Sequence, residues 1–135
     1  MIKHLTIPTP GQGLHEFTRE AESLVRASGI REGLCTFFVQ HTSASLLIQE
    51  NADPSAKRDI ERWLNRLVPE NDSLYTHRNE GADDMPAHIK SALTSTSVAI
   101  PISDGRLALG TWQGIYLWEH RRQGGARKII AHIAG

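Results

Sequence analysis

Between Gly33 and Asp53 the chain reads GLCTFFVQHTSASLLIQENAD, an apolar run broken by an imidazole, three hydroxyls and two carboxylates. Imidazole nitrogens hold metals, hydroxyls and backbone N–H groups hold phosphoryl oxygens, and carboxylates move protons; strands on either side would keep such groups rigid. Cys35, Phe37, Val39 and His41 alternate with Thr36, Phe38 and Gln40, so the run predicts a strand covered on both faces and ended by His41. Thr42, Ser43 and Ser45 make a hydroxyl-rich corner. Ala44, Leu46 and Ile48 then alternate with Leu47 and Gln49 as a second strand, closed by Glu50, Asn51 and Asp53. The plainer reading is a polar turn.

Two more histidines extend the chemistry. His77 lies in Pro69 to Met85, an aperiodic stretch longer than most connections in a compact domain. His88 sits in the opening turn of PAHIKSAL, where Asp83 or Asp84 can cap a short helix, Pro86 falls in the first turn, and Ile89, Ala92 and Leu93 face the core. His41, His77 and His88 thus each lie at the end of an element or in a loop, where side chains from separate elements converge. Three neutral imidazoles plus a water make an open zinc-type site. No HExxH or CxxC pairing accompanies them. His4, His15, His120 and His132 are assigned to structure or surface. Glu50, Glu80, Asp83, Asp84 and Glu119 would orient imidazoles or serve as acid and base, and each serves equally well as a cap or a solvated charge.

The elements that must position these groups follow from periodicity. Met1 to Pro8 predicts a strand, and Thr9 to Gly13 a turn whose glycines complete no nucleotide-binding fingerprint. Leu14, Phe17, Ala21, Leu24 and Val25 predict a helix from Leu14 that stops at Gly29. Asp53 and Pro54 suit an N-cap and first helical position, with Ala56, Ile60, Trp63, Leu64 and Leu67 lining the buried face until Val68-Pro69. Ser97 to Ile102 predicts a strand, Asp104-Gly105 a two-residue hairpin, and Gly110 to Glu119 a further strand on which Gln113, Ile115, Leu117 and Glu119 share one face. Ala126 to Ile133 predicts the last. The expected fold is α+β: one domain over 1–135, six to eight mostly antiparallel strands, two longer helices and one short one.

Composition narrows the partners. The 135 residues carry fifteen basic and fifteen acidic side chains, so no global field draws the chain to nucleic acid or to an anionic membrane. No apolar run spans a bilayer and no signal-peptide pattern is present, which predicts a cytoplasmic protein. The single cysteine, Cys35, is expected to be a buried thiol rather than a nucleophile.

Three segments carry a resemblance. HTSASLLIQEN followed by Asp53-Pro54, the HxxEG and AHIK elements at His77, Glu80, Gly81, Ala87, His88 and Lys90, and GRLALGTWQGIYLWE together resemble the YjbQ family along nearly the whole chain. The resemblance implies the YjbQ-like fold assembled as a homotrimer. It also implies thiamine-phosphate synthase as a secondary activity, joining hydroxymethylpyrimidine diphosphate to a thiazole phosphate with release of pyrophosphate. On that reading His41, His77 and His88 hold a divalent metal, with zinc leading and magnesium possible for a diphosphate. Glu50, Glu80, Lys90 and Glu119 do the chemistry, while Thr42, Ser43, Ser45, Gln113 and Arg121 bind substrate. The chain departs from a diphosphate enzyme in lacking an Asp-rich magnesium motif, for which Asp83-Asp84 is a weak substitute. Two other functions fit the same residues: a trimer that binds metal or phosphate without turnover, and a metal-dependent hydrolase of a small phosphorylated metabolite.

Overall fold

The computed structural model describes all residues, 1–135. Eight strands and three helices follow one another: β1 Ile2–Pro8, β2 Gly13–Glu16, α1 Thr18–Ser28, β3 Gly33–Val39, β4 Ala44–Glu50, α2 Pro54–Leu67, α3 Asp84–Leu93, β5 Ser97–Ser103, β6 Arg106–Leu107, β7 Gln113–Glu119 and β8 Ala126–Ala134. All pairings are antiparallel. A five-stranded sheet runs β1-β8-β3-β5-β6 and a three-stranded sheet β2-β7-β4. No helix is long and apolar enough to cross a membrane.

The sheets face one another across the main core. Alternation puts Cys35, Phe37 and Val39 of β3 on the same side as Ile129, Ala131 and Ile133 of β8, against Ala44, Leu46, Ile115 and Leu117 of the smaller sheet. α1 completes this layer with Phe17, Ala21 and Val25, and Phe17 meets Phe37 edge-on with ring centroids 5.7 Å apart. Full burial of side chains of this size stabilises by about 1.5–3 kcal/mol each. On the far side of the smaller sheet, α2 covers a second cluster of Leu14, Leu64, Val68, Tyr116 and Trp118.

Several local expectations hold. Asp53 caps α2, accepting the Ser55 N–H at 2.9 Å, and Pro54 opens the helix. Asp104 and Gly105 both take positive φ, 52° and 75°, as a tight β5–β6 hairpin requires. Cys35 is fully buried, and burial pushes its thiol up to about 11.

Others need correction. Residues 13–16 form strand β2 rather than the start of a helix: Leu14 pairs with Trp118, its N–H bonds Glu61, and the helix begins only at Thr18. Pairing with β7 decides the matter for a stretch whose apolar residues fit either period. β3 is not covered on both faces, since Leu34 and Phe38 are exposed; nothing in the chain packs over the outer face of the large sheet. On α2, Trp63 and Leu67 stay exposed because a three-stranded sheet is too narrow to cover the whole apolar stripe. On α3 the buried residues include Asp84, Ala87, Lys90 and Ser91, while Ala92 and Leu93 face outward. The helix turns polar groups inward because the surface it meets is itself polar.

Candidate metal centre

That surface is built at the end of the small sheet where β4 begins and β7 ends, with Ala44 paired to Glu119. α3 lies across it, and the aperiodic segment after α2 brings His77 back to the helix start. Asp84, the first residue of α3, is 3% exposed and receives both histidines on one oxygen: His77 Nε2 lies 2.8 Å and His88 Nε2 3.2 Å from Asp84 Oδ2. The i,i+4 spacing of Asp84 and His88 puts them on one helical face. The two rings are 5.5 Å apart, and the three donor atoms all lie within 4.8 Å of one another.

A guanidinium fixes the arrangement from behind. Arg121, just past β7, donates Nη1 to Asp84 Oδ1 at 2.7 Å, Nε to Asp83 Oδ2 at 3.0 Å and Nη2 to the Glu80 carbonyl at 2.8 Å. The Arg122 N–H also donates to Asp83 Oδ2, at 2.9 Å. Hydrogen bonds from Arg121 and Arg122 outweigh partial burial and hold the Asp83 carboxyl below its ordinary range; the same pairing raises Arg121. Asp84 Oδ2 therefore points toward the histidines while Oδ1 is held from the other side.

The donor set fits a divalent ion. Ligand bonds of about 2.1 Å place neighbouring donors about 3.0–3.4 Å apart in octahedral or tetrahedral geometry; the His88–Asp84 pair at 3.2 Å lies in that range, and the His77–Asp84 hydrogen bond at 2.8 Å would have to open slightly to admit an ion. Two imidazoles and a carboxylate leave further coordination positions free for water or substrate. Beside His77 a cavity of about 180 Å³ is lined by Asn71, Asp72, Tyr75, His77, Arg78, Gly81, Ala82 and Met85. At about 30 Å³ per water, this is room for a small polar group.

Of the expected metal ligands, His77 and His88 converge and His41 does not. His41 Nε2 accepts the Lys128 N–H at 2.8 Å, tying the end of β3 to β8, and Asp84 takes the third position. Burial and the Arg127 charge lower the His41 pKa, in keeping with a ring that accepts rather than donates at Nε2. Glu50 and Gln113 pair with each other at the opposite end of the small sheet, six residues from the Ala44–Glu119 pair, or about 20 Å. Glu50 accepts the Asp53 N–H and Gln113 the Gly110 N–H, so both are occupied with turns. Glu119 is fully buried between the sheets, where it accepts from Thr9 Oγ1, Arg127 Nε and the Arg121 N–H. Gly124 allows that contact, since a Cβ there would stand 1.7 Å from the Thr9 carbonyl oxygen. Arg121 is a buttress of the carboxylates rather than a free anion receptor.

Glu80 is exposed, with its backbone carbonyl on Arg121. Thr42 is exposed, and the Ser43 carbonyl accepts the His120 N–H. Ser45 is buried against His120, 2.9 Å from Nε2 to Oγ, and Lys90 is buried with Nζ on Asn65 Oδ1. Sequence reasoning missed Asp84 as the third member of the cluster and His120 as a partner of Ser45. The Asp84-to-His88 spacing was a usable signal for the first; nothing local marked the second.

Residues 3–135 match the family described as UPF0047 protein YjbQ-like. A UPF0047 protein of Synechocystis is 55% identical over 131 residues, covering 97% of this chain and 89% of that one. The UPF0047 protein YjbQ of Escherichia coli is 47% identical over 134 residues, covering 98% and 96%. A crystal structure of a YjbQ/UPF0047 family protein from Clostridium acetobutylicum superposes with a TM-score of 0.85 at 36% identity, covering 99% of each chain.

Proposed function

The chain belongs to the UPF0047 YjbQ-like family, and from that premise we propose that it is a metal-dependent enzyme acting on a small phosphorylated metabolite. The observation that carries this reading is the convergence of His77, His88 and Asp84 on one point, with Arg121 bonded to the far oxygen of Asp84. A divalent ion held there, with zinc the best match to two imidazoles and one carboxylate, would act as a Lewis acid on a phosphoryl oxygen. Magnesium, which prefers oxygen ligands, suits the set less well. The chain's own residues do the rest. Asp84 and the two rings fix the geometry, the cavity beside His77 takes the substrate, and the exposed Glu80 is the carboxylate placed to exchange protons with solvent.

The synthase reaction implied by the resemblance is the second reading. It is favoured by an apolar groove of about 640 Å³ on the outer side of the small sheet, where the exposed Trp63 offers a surface suited to a flat heteroaromatic ring. The cavity beside His77 is too small for two ring systems, which ranks simple phosphate-ester chemistry first. In either reading we place the protein in the cytoplasm as a homotrimer. The support for assembly is the uncovered face of the large sheet, where Ile2, Leu34 and Phe38 are exposed.

Metal analysis tests the proposal. Protein made without a histidine tag, after dialysis against a weak chelator, is expected to retain one divalent ion per chain. His88→Ala and Asp84→Asn should lose it and His41→Ala should keep it. A screen of phosphorylated metabolites, with the synthase substrate pair included, should then show turnover that follows metal content. Equal metal in wild type and His88→Ala would overturn the assignment.

A further inference from the structure

Lys90 is 4% exposed, yet it makes no ion pair; its Nζ donates only to a neutral acceptor, Asn65 Oδ1, at 2.5 Å. Asp83 is the one carboxylate whose charge reaches it, and that carboxylate is already committed to Arg121 and the Arg122 N–H. A buried ammonium whose nearest counter-charge is shared with a guanidinium is costly, and proteins seldom keep one.

A second buried group has a nitrogen with no partner at all. His120 is 1% exposed, its Nε2 meets Ser45 Oγ at 2.9 Å, and its Nδ1 has no partner. A chain of side-chain amides joins the two, from Lys90 Nζ to Asn65 Oδ1, from Asn65 Nδ2 to Gln12 Oε1 and from Gln12 Nε2 to the His120 carbonyl; burial first, and then the Lys90 charge, hold the His120 pKa down to about 3. When the Ser45 hydroxyl donates to Nε2, the neutral ring carries its proton on Nδ1, so the orphan is a donor. In that tautomer the ring N–H lacks an acceptor and the ammonium has only the neutral Asn65 amide, so a negatively charged acceptor would serve both.

The way in is covered by two amides. Asn65 and Gln12 are both exposed; Gln12 Nε2 donates to the His120 carbonyl at 3.0 Å, and Asn65 Nδ2 reaches Gln12 Oε1 at only 3.4 Å. We propose that Lys90 Nζ and His120 Nδ1 form a binding site for a compact oxyanion of the phosphate class, which enters by displacing the Asn65 amide. The site stands whether or not His77, Asp84 and His88 hold a metal. Where both operate, it receives a phosphate of the same substrate, which makes that substrate one with an anionic group beyond the metal-bound end.

The test uses the full chain after chelator treatment, so that failure of the metal centre and failure of this site are distinguishable. Inorganic phosphate is titrated at matched ionic strength against chloride, following the His120 imidazole nitrogens by NMR and the melting temperature. Wild type should show a saturable His120 shift and a rise in melting temperature with phosphate alone. Lys90→Met, which keeps the apolar stem, should lose at least tenfold in affinity. Asn65→Ala removes the amide that competes for Lys90 Nζ and should tighten phosphate binding severalfold. The same response to chloride and phosphate, meaning an ordered water only, would refute the proposal. So would wild-type affinity in Lys90→Met or an unchanged affinity in Asn65→Ala.

Discussion

His120 makes stability at mild acid a test of how the inner side of α3 is built. In the unfolded chain its imidazole titrates near the ordinary 6.5, whereas in the fold burial and the Lys90 charge hold it neutral down to about 3. Above 6.5 the ring is neutral in both states and contributes no pH dependence. As the pH falls below 6.5 the unfolded chain gains a proton that the folded one refuses, so stability drops by about 1.4 kcal/mol per pH unit until the folded pKa is reached. The gap of 3.5 units sets a ceiling of roughly 5 kcal/mol, and at pH 5.0, 1.5 units below 6.5, the loss is about 2 kcal/mol. His41 is lowered too and adds to the wild-type slope, so the comparison must be with His120→Gln, which leaves His41 in place. Urea denaturation followed by tryptophan fluorescence, at pH 7.5 and 5.0, in phosphate-free buffer and at fixed protein concentration, gives the four stabilities. The wild type should lose about 2 kcal/mol more than His120→Gln over that interval. Parallel losses in the two proteins would mean that His120 is protonated in the fold, and the reasoning about its buried neutral ring would fail.

Three further outcomes are expected. Arg121→Ala leaves Asp84 buried without its counter-charge and should cost about 3 kcal/mol, the low end for breaking a buried pair because the guanidinium keeps partial solvent access, together with a clear loss of metal affinity; unchanged thermal stability would argue against it. Phe38→Lys on the open face of the large sheet tests the proposed homotrimer: it should shift sedimentation from trimer to monomer at micromolar concentration, and an unaltered profile would remove that face from the proposed interface. Cys35, with its thiol buried and pushed up to about 11, should resist alkylation at pH 8 in the native state and react at once in urea; fast native labelling would contradict its burial.

Local chemistry was enough to read much of this protein. Asp53-Pro54 states its helix cap, Asp104-Gly105 its hairpin, and the alternation in residues 33–39, 44–50 and 113–119 its strands, because each signal is carried by residues adjacent in the chain. The resemblance of three segments placed the chain in its family, and two of the three clustered groups, His77 and His88, were visible as histidines at element ends. What the chain alone left open depends on which strands pair. Residues 13–16 fit a helix as well as a strand until β7 supplies hydrogen bonds, and Glu50 and Gln113 were candidates until the β4–β7 register put them about 20 Å from Glu119. Asp84 rather than His41 joins His77 and His88 for the same reason. A ligand set is defined by atoms a few ångströms apart, and the Lys128 N–H that takes His41 and the Arg121 guanidinium that holds Asp84 lie 87 and 37 residues away in sequence. Lys90 and His120 show the limit most plainly, since the sequence offered Lys90 for chemistry and assigned His120 to structure or surface, and only the packing of α3 over the small sheet takes both out of water.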